Sequence, residues 1–148
     1  MTSTKAMAAI VRCATYSPSE VRDGVQRALD LLGGAERFIR PGWHVLIKPN
    51  LIVPVGPDIP AQTHPEVIYA VAEWVRRAEA VPIIGDSPAW SNARACLSAL
   101  GVLERLEYLG AEIIQLNHPV RLKIEGTSIG ISRAALEADA IINLPKLK

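Results

Sequence analysis

The chain has 148 residues, 49% of them hydrophobic, and its 16 lysines and arginines nearly cancel its 15 aspartates and glutamates. That length fits one domain with a sizeable core, and the even charge, free of like-charge runs, argues against nucleic acid or an anionic membrane as the main partner. No segment approaches the roughly 20 apolar residues of a membrane span, and the apolar N-terminal stretch is cut by Arg12 before it can form a signal region, so the expected setting is the cytoplasm.

The first apolar run, "AAIVRCA" (8 to 14), predicts a short strand. "SPSEVRDGVQRALDLLGG" (17 to 34) predicts a helix. Ser17 stands at the N-cap, Pro18 at the first helical position and Glu20 at the third, a capping box, and Gly33-Gly34 ends the run. Val21, Val25, Leu29 and Leu32 recur at helical spacing and form its buried stripe. "HVLI" (44 to 47) is the next strand, and "THPEVIYAVAEWVRRAEA" (63 to 80) the next helix, with Thr63 and Glu66 at capping-box spacing.

"VPIIG" (81 to 85) predicts a strand, and residues 91 to 110 one or two helices broken near Gly101. "AEIIQL" (111 to 116) is another strand. The alternation in "VRLKI" and "TSIGI" predicts a small hairpin or edge pair near 120–131, turning at Glu125-Gly126. A short helix (132 to 138) and a last strand, "DAIIN" (139 to 143), precede the closing "LPKLK". Apolar strands alternating with amphipathic helices imply a three-layer α/β fold, a mostly parallel sheet with helices on both faces. Periodicity says nothing of the strand order.

In open α/β sheets, ligands bind beyond the carboxyl ends of the strands. Three predicted strands end alike there: in Lys48-Pro49-Asn50, in Gly85-Asp86-Ser87-Pro88 and in Asn143-Leu144-Pro145-Lys146. Proline lacks an N–H and stiffens each exit, so Lys48, Asn50, Asp86, Ser87, Asn143 and Lys146 should converge on one rim. Helix starts at Thr63 and near Ser91 would add N–H groups, and His64 would face the crevice as ligand or base. The ligand favoured by this set is a small molecule with a phosphate or carboxylate group. Asp86 is then free to accept a proton, with Lys48 as its catalytic companion, or to hold a metal through oxygen.

Other chemistry lacks its signature. Cys13 and Cys96 lie far apart and belong to no C-x-x-C pair, so no zinc or cluster motif can be assembled. Neither a G-x-G-x-x-G after a strand nor a P-loop is present, and "GDSPA" is not a nucleophile elbow. No cofactor is named by the residues.

Four blocks, "VLIKPNLIVP", "THPEVIYAVAEWV", "IIGDSPAW" and "ADAIINLPKLK", resemble in order and spacing the signature blocks of the domain of unknown function 362 family. The resemblance runs from about residue 44 to the last one and places Lys48, Asn50, Thr63, His64, Asp86, Ser87, Asn143, Lys146 and Lys148 at block positions. It implies that this is the N-terminal portion of a longer family domain. Many relatives carry 4Fe–4S cysteine motifs and are read as electron-transfer proteins, whereas this chain has no such motif.

Three functions follow as expectations. One is an anion-binding enzyme or cofactor-handling protein using Lys48, Lys146 and Lys148 for charge. The second is the scaffold of an iron–sulfur electron-transfer protein, its clusters outside this chain, working with a ferredoxin-like partner. The third is a non-catalytic ligand-binding module with the loop 54 to 62 as a lid. An unpaired edge strand further predicts a homodimer.

Overall fold

The computed structural model describes residues 6–147. The chain is an α/β protein built on a four-stranded parallel sheet of order β3-β2-β1-β6, with a separate antiparallel hairpin, β4-β5. The elements are α1 (Pro18–Leu31), β1 (His44–Pro49), α2 (Pro65–Arg77), β2 (Val81–Asp86), α3 (Ala93–Ala99), α4 (Leu103–Tyr108), β3 (Glu112–Gln115), β4 (Pro119–Ile124), β5 (Thr127–Ser132), α5 (Arg133–Glu137) and β6 (Ala140–Leu144). A single 3₁₀ turn, Ala35–Arg37, follows α1.

Strand alternation sorts the side chains. Val45, Ile47, Ile84, Ile113, Ala140 and Ile142 share one face, since Ile47 pairs with Ile84 and Ile142 in register and Ile84 pairs with Ile113. On that face they meet Ile68, Val71, Trp74 and Val75 of α2, Cys96 and Leu97 of α3, and Leu106 of α4, while Val25 and Leu29 of α1 pack at the margin. Full burial of Ile47, Ile68, Ile84, Leu97 and Leu106 stabilises the fold by about 1.5–3 kcal/mol per side chain before entropy is counted.

The connections from β1 to β2 and from β2 to β3 step one way across the sheet, and β3 to β6 steps back. The hairpin and α5 lie within this return connection, and the alternate strand positions face the opposite side of the sheet. There Leu46, Ile83 and Ile141 lie in register across three strands. Leu46 is buried at the centre of this row and Ile141 is half-exposed at the edge. The hairpin turns on Glu125 and Gly126, both at positive φ (48° and 83°), the conformation a two-residue turn between twisted strands demands.

Two local expectations fail. Residues 8 to 14 form no strand. They lie against α1, with Val11 and Cys13 lining a groove beside Val21, Gly24 and Val25. Ile10 points away, 98% exposed, and the run joins neither outer edge of the sheet, β3 or β6. The capping boxes also fail. Ser17 is at the N-cap of α1 but its side chain makes no cap bond, and Glu20 instead accepts from the Ala14 and Thr15 amides and the Thr15 hydroxyl. At α2 the N-cap is His64, one residue later than expected, and Glu66 turns away to Arg105.

Gly85, which faces the opposite side of β2 from Ile84, leaves no room for a side chain. A Cβ there would stand 2.9 Å from Ile114 Cγ1 and 3.2 Å from Leu116 Cδ2. Gly85→Ala should therefore lower stability by about 1–3 kcal/mol in urea denaturation, as overpacking does. Adding Leu116→Ala and Ile114→Ala should recover part of the Gly85→Ala cost measured in that smaller background.

Candidate functional site

The buried polar residues among those described are Gln62, Thr63 and Asp86, and all three hold the chain that leaves β1. The Thr63 hydroxyl accepts from the Asn50 amide at 2.9 Å. Asp86 Oδ2 accepts from the Leu51 amide at 2.7 Å, and Gln62 Oε1 from the Ile52 amide at 3.0 Å. Three consecutive backbone donors that a sheet would otherwise have paired are thus each met by a buried side-chain oxygen, as buried N–H groups require. Thr63 also donates to the Leu144 carbonyl at 2.7 Å, tying the end of β6 to the start of α2.

The other Asp86 oxygen, Oδ1, pairs with Lys48 Nζ at 2.7 Å. The Lys48 side chain is 41% exposed against 9% for Asp86, so the lysine covers an otherwise sunken carboxylate. Both oxygens of Asp86 are therefore engaged. A metal at Asp86 would have to replace Lys48, and no group of three or more His, Cys, Asp or Glu side chains gathers anywhere among the described residues. Cys96 lies near enough for the Asp86 charge to act on its thiol, which burial chiefly, and that charge secondarily, pushes up in pKa.

A cavity of about 250 Å³ opens on the other side of this clasp. Its walls are the loop Pro57–Pro60, Gln62 to Pro65 at the start of α2, Leu100, Tyr16 and Lys146. His64 stacks on Tyr16 with ring centroids 3.8 Å apart and planes 9° from parallel. The Lys146 ammonium stands 5.9 Å from the Tyr16 ring centroid. His64 Nδ1 accepts from the Glu66 amide at 3.2 Å, so its proton resides on Nε2. Desolvation holds the His64 pKa below its ordinary value of 6.5; Glu66 opposes that shift and Lys146 adds to it.

The single rim expected from the sequence is divided in two. Lys48, Asn50 and Asp86 belong to the clasp, His64 and Lys146 to the cavity, and Thr63 lies between them. Ser87 is exposed beyond the clasp. Asn143 pairs in register with Lys48 but is exposed, beside a separate cavity of about 330 Å³ walled by Leu29, Leu32, Phe38, Ile39 and Trp74. Lys148 lies outside the described residues.

Most first-turn amides of α2 and α3 are already engaged. In α2, Pro65 has no N–H, Glu66 donates to His64 Nδ1, and Val67 and Ile68 donate to the His64 carbonyl. In α3 the Ala93 amide donates to Gln115 Oε1 and the Ala95 amide to Asn92 Oδ1.

Sequence reasoning missed Tyr16, Gln62 and Asp58. Tyr16 directly precedes the Ser17-Pro18 helix start, where a residue often packs to set the entry of the chain, and that position was its one signal. Gln62 and Asp58 carry no such mark.

Comparison with known proteins adds to this geometry. A family model described as Domain of unknown function (DUF362) matches residues 45–148. The chain is 36% identical to the thylakoid-associated protein sll1697 of Synechocystis sp. over 142 residues, which cover 94% of this chain and 44% of that relative. The chain thus spans less than half the length of the relative. No solved structure matches.

Two outcomes follow from the clasp and the cap. Asp86→Ala orphans both the Leu51 amide and Lys48, and should cost about 2–3 kcal/mol in urea denaturation, more than Lys48→Met, which leaves the amide bond in place. His64 is held neutral in the folded state, so the unfolded chain takes up the proton more readily. The stability contributed by the neutral ring is complete above 6.5 and is lost as pH falls below it. Melting temperature should therefore drop from pH 7 to pH 5.5, and His64→Asn, which keeps an N-cap acceptor, should flatten that drop.

Proposed function

The chain belongs to the domain of unknown function 362 family, and on that premise we propose that the cavity between the 57–60 loop and the start of α2 binds a small anionic molecule in the cytoplasm. The observation that carries this is Lys146. Lys48 is neutralised by Asp86, and Arg105 by Glu66, whereas Lys146 stands at the cavity wall against the Tyr16 ring. A cation so placed, with partly apolar walls around it, attracts an anion more strongly than it would in open water.

In this reading the remaining residues have parts as well. The Pro-rich loop covers the cavity, and its path is set by the Gln62, Thr63 and Asp86 bonds to residues 50 to 52. Lys48 and Asp86 act in this reading as the frame of the site.

The relative's name carries association with thylakoids, and one observation favours a second reading in which this chain meets a membrane surface. Trp90, Ile59 and Leu147, in the segments that follow three adjacent parallel strands, are 81%, 52% and 95% exposed. Such side chains suit an interfacial contact, and no helix among the described residues is long and apolar enough to cross a membrane. Sedimentation with phosphatidylglycerol vesicles, compared between wild type and Trp90→Ser/Ile59→Ser, checks it: co-sedimentation should be lost in the double variant.

For the cavity, titration of the labelled protein with acetate and with inorganic phosphate should move backbone signals of residues 57–65 and 146 with at least one of the two anions. Lys146→Met should weaken that binding by roughly tenfold or more, the worth of a charged hydrogen bond. Unmoved signals with both anions would remove the proposal.

A further inference from the structure

The donors around the cavity can be counted. The Thr63 hydroxyl is spent on Asn50 and Leu144, and the Thr63 amide donates to the Asn50 carbonyl. The first-turn amides of α2 are spent on His64. Gln62 accepts from the Ile52 amide and donates one of its two amide hydrogens to the Val55 carbonyl. Among the lining side chains this leaves the Lys146 ammonium, the Nε2–H of His64, the Tyr16 hydroxyl and the second amide hydrogen of Gln62, with Asp58 the one acid in the wall.

His64 is a neutral donor by construction. Its Nδ1 is occupied as an acceptor, which places the proton on Nε2, and Glu66 is committed through both its oxygens to Arg105. The site therefore presents one cation, Lys146, set against one acid, Asp58, with neutral donors from His64, Tyr16 and Gln62.

From this balance we infer, resting on the anion-binding reading above, that the cavity takes a carboxylate monoanion in preference to a phosphate or other dianion. A carboxylate has two oxygens and one charge, which Lys146 and the His64 and Tyr16 donors can meet. A phosphate brings up to two charges and three oxygens that call for a second cation or a row of backbone N–H groups. The fold has used those groups elsewhere: Lys48 on Asp86, and the α2 amides on His64. The second charge would also face Asp58. The volume, about 250 Å³, is slightly under the ~300–1,000 Å³ typical of sites for larger ligands, which suits a small organic acid.

The test is a comparison of acetate with inorganic phosphate on the full chain at pH 7.5 and constant ionic strength, followed by NMR at the cavity residues. Acetate should bind at least about tenfold more tightly than phosphate. A long-range nitrogen–proton spectrum should give His64 the Nε2-protonated form, with its Nε2 signal moving on acetate addition. His64→Asn keeps an N-cap acceptor but removes the Nε2 donor, and should weaken acetate by roughly ten- to a hundredfold with little effect on phosphate. Tyr16→Phe, which preserves the ring stack, supplies a variant milder to the fold and should reduce the acetate preference.

If phosphate binds at these residues as tightly as acetate or more so, the carboxylate inference is overturned while the anion site stands. If neither anion moves the cavity signals, both fall together.

Discussion

Three successive amides, those of Asn50, Leu51 and Ile52, leave the end of a parallel strand and are captured one after another by oxygens of Thr63, Asp86 and Gln62. Much of the structure at this end of the sheet depends on this. Beyond Pro49 the chain has passed the end of its neighbours, yet it remains buried, and a buried N–H without a partner costs about 1–3 kcal/mol. The three oxygens come from three places: the exit of β2, the start of α2 and the last turn of the loop itself. By satisfying the amides they also lock these parts to one another, and Thr63 extends the lock to β6 through the Leu144 carbonyl.

The cavity follows from that lock. With Gln62 and Thr63 pinned inward, His64 emerges at the surface as the N-cap of α2, and its ring has one nitrogen bound to the helix and one face on Tyr16. Tyr16 is in turn presented by Glu20, whose carboxylate gathers the amides of Ala14 and Thr15 and is held below its usual pKa chiefly by the Thr15 hydroxyl and the Ala14 amide. Lys146 arrives just after β6. The helix start that in isolation looks like an anion site has consumed its donors in building the corner, so positive character there resides in a side chain, not in the helix end.

Much of the fold was legible in the residues. The alternation of apolar strands and amphipathic helices, the break at Gly101 and the Glu125-Gly126 hairpin turn are local patterns, and local physics decides them. The errors lie where a residue had two possible partners. Thr63 and Glu66 have capping-box spacing, but the tertiary partners Asn50, Leu144 and Arg105 are better placed and win. Residues 8 to 14 have strand composition but lie along α1 instead.

By itself the sequence determined the order and type of the main elements and the three proline-marked strand exits at which polar side chains would collect, because periodicity and proline stereochemistry act within a few residues. Only the tertiary structure decided the strand order, the pairing of Lys48 with Asp86 and the meeting of Tyr16, His64 and Lys146, residues up to 130 positions apart. Such meetings are set by which buried amide needs which oxygen once the sheet has closed over it, a demand that no short stretch of the chain contains.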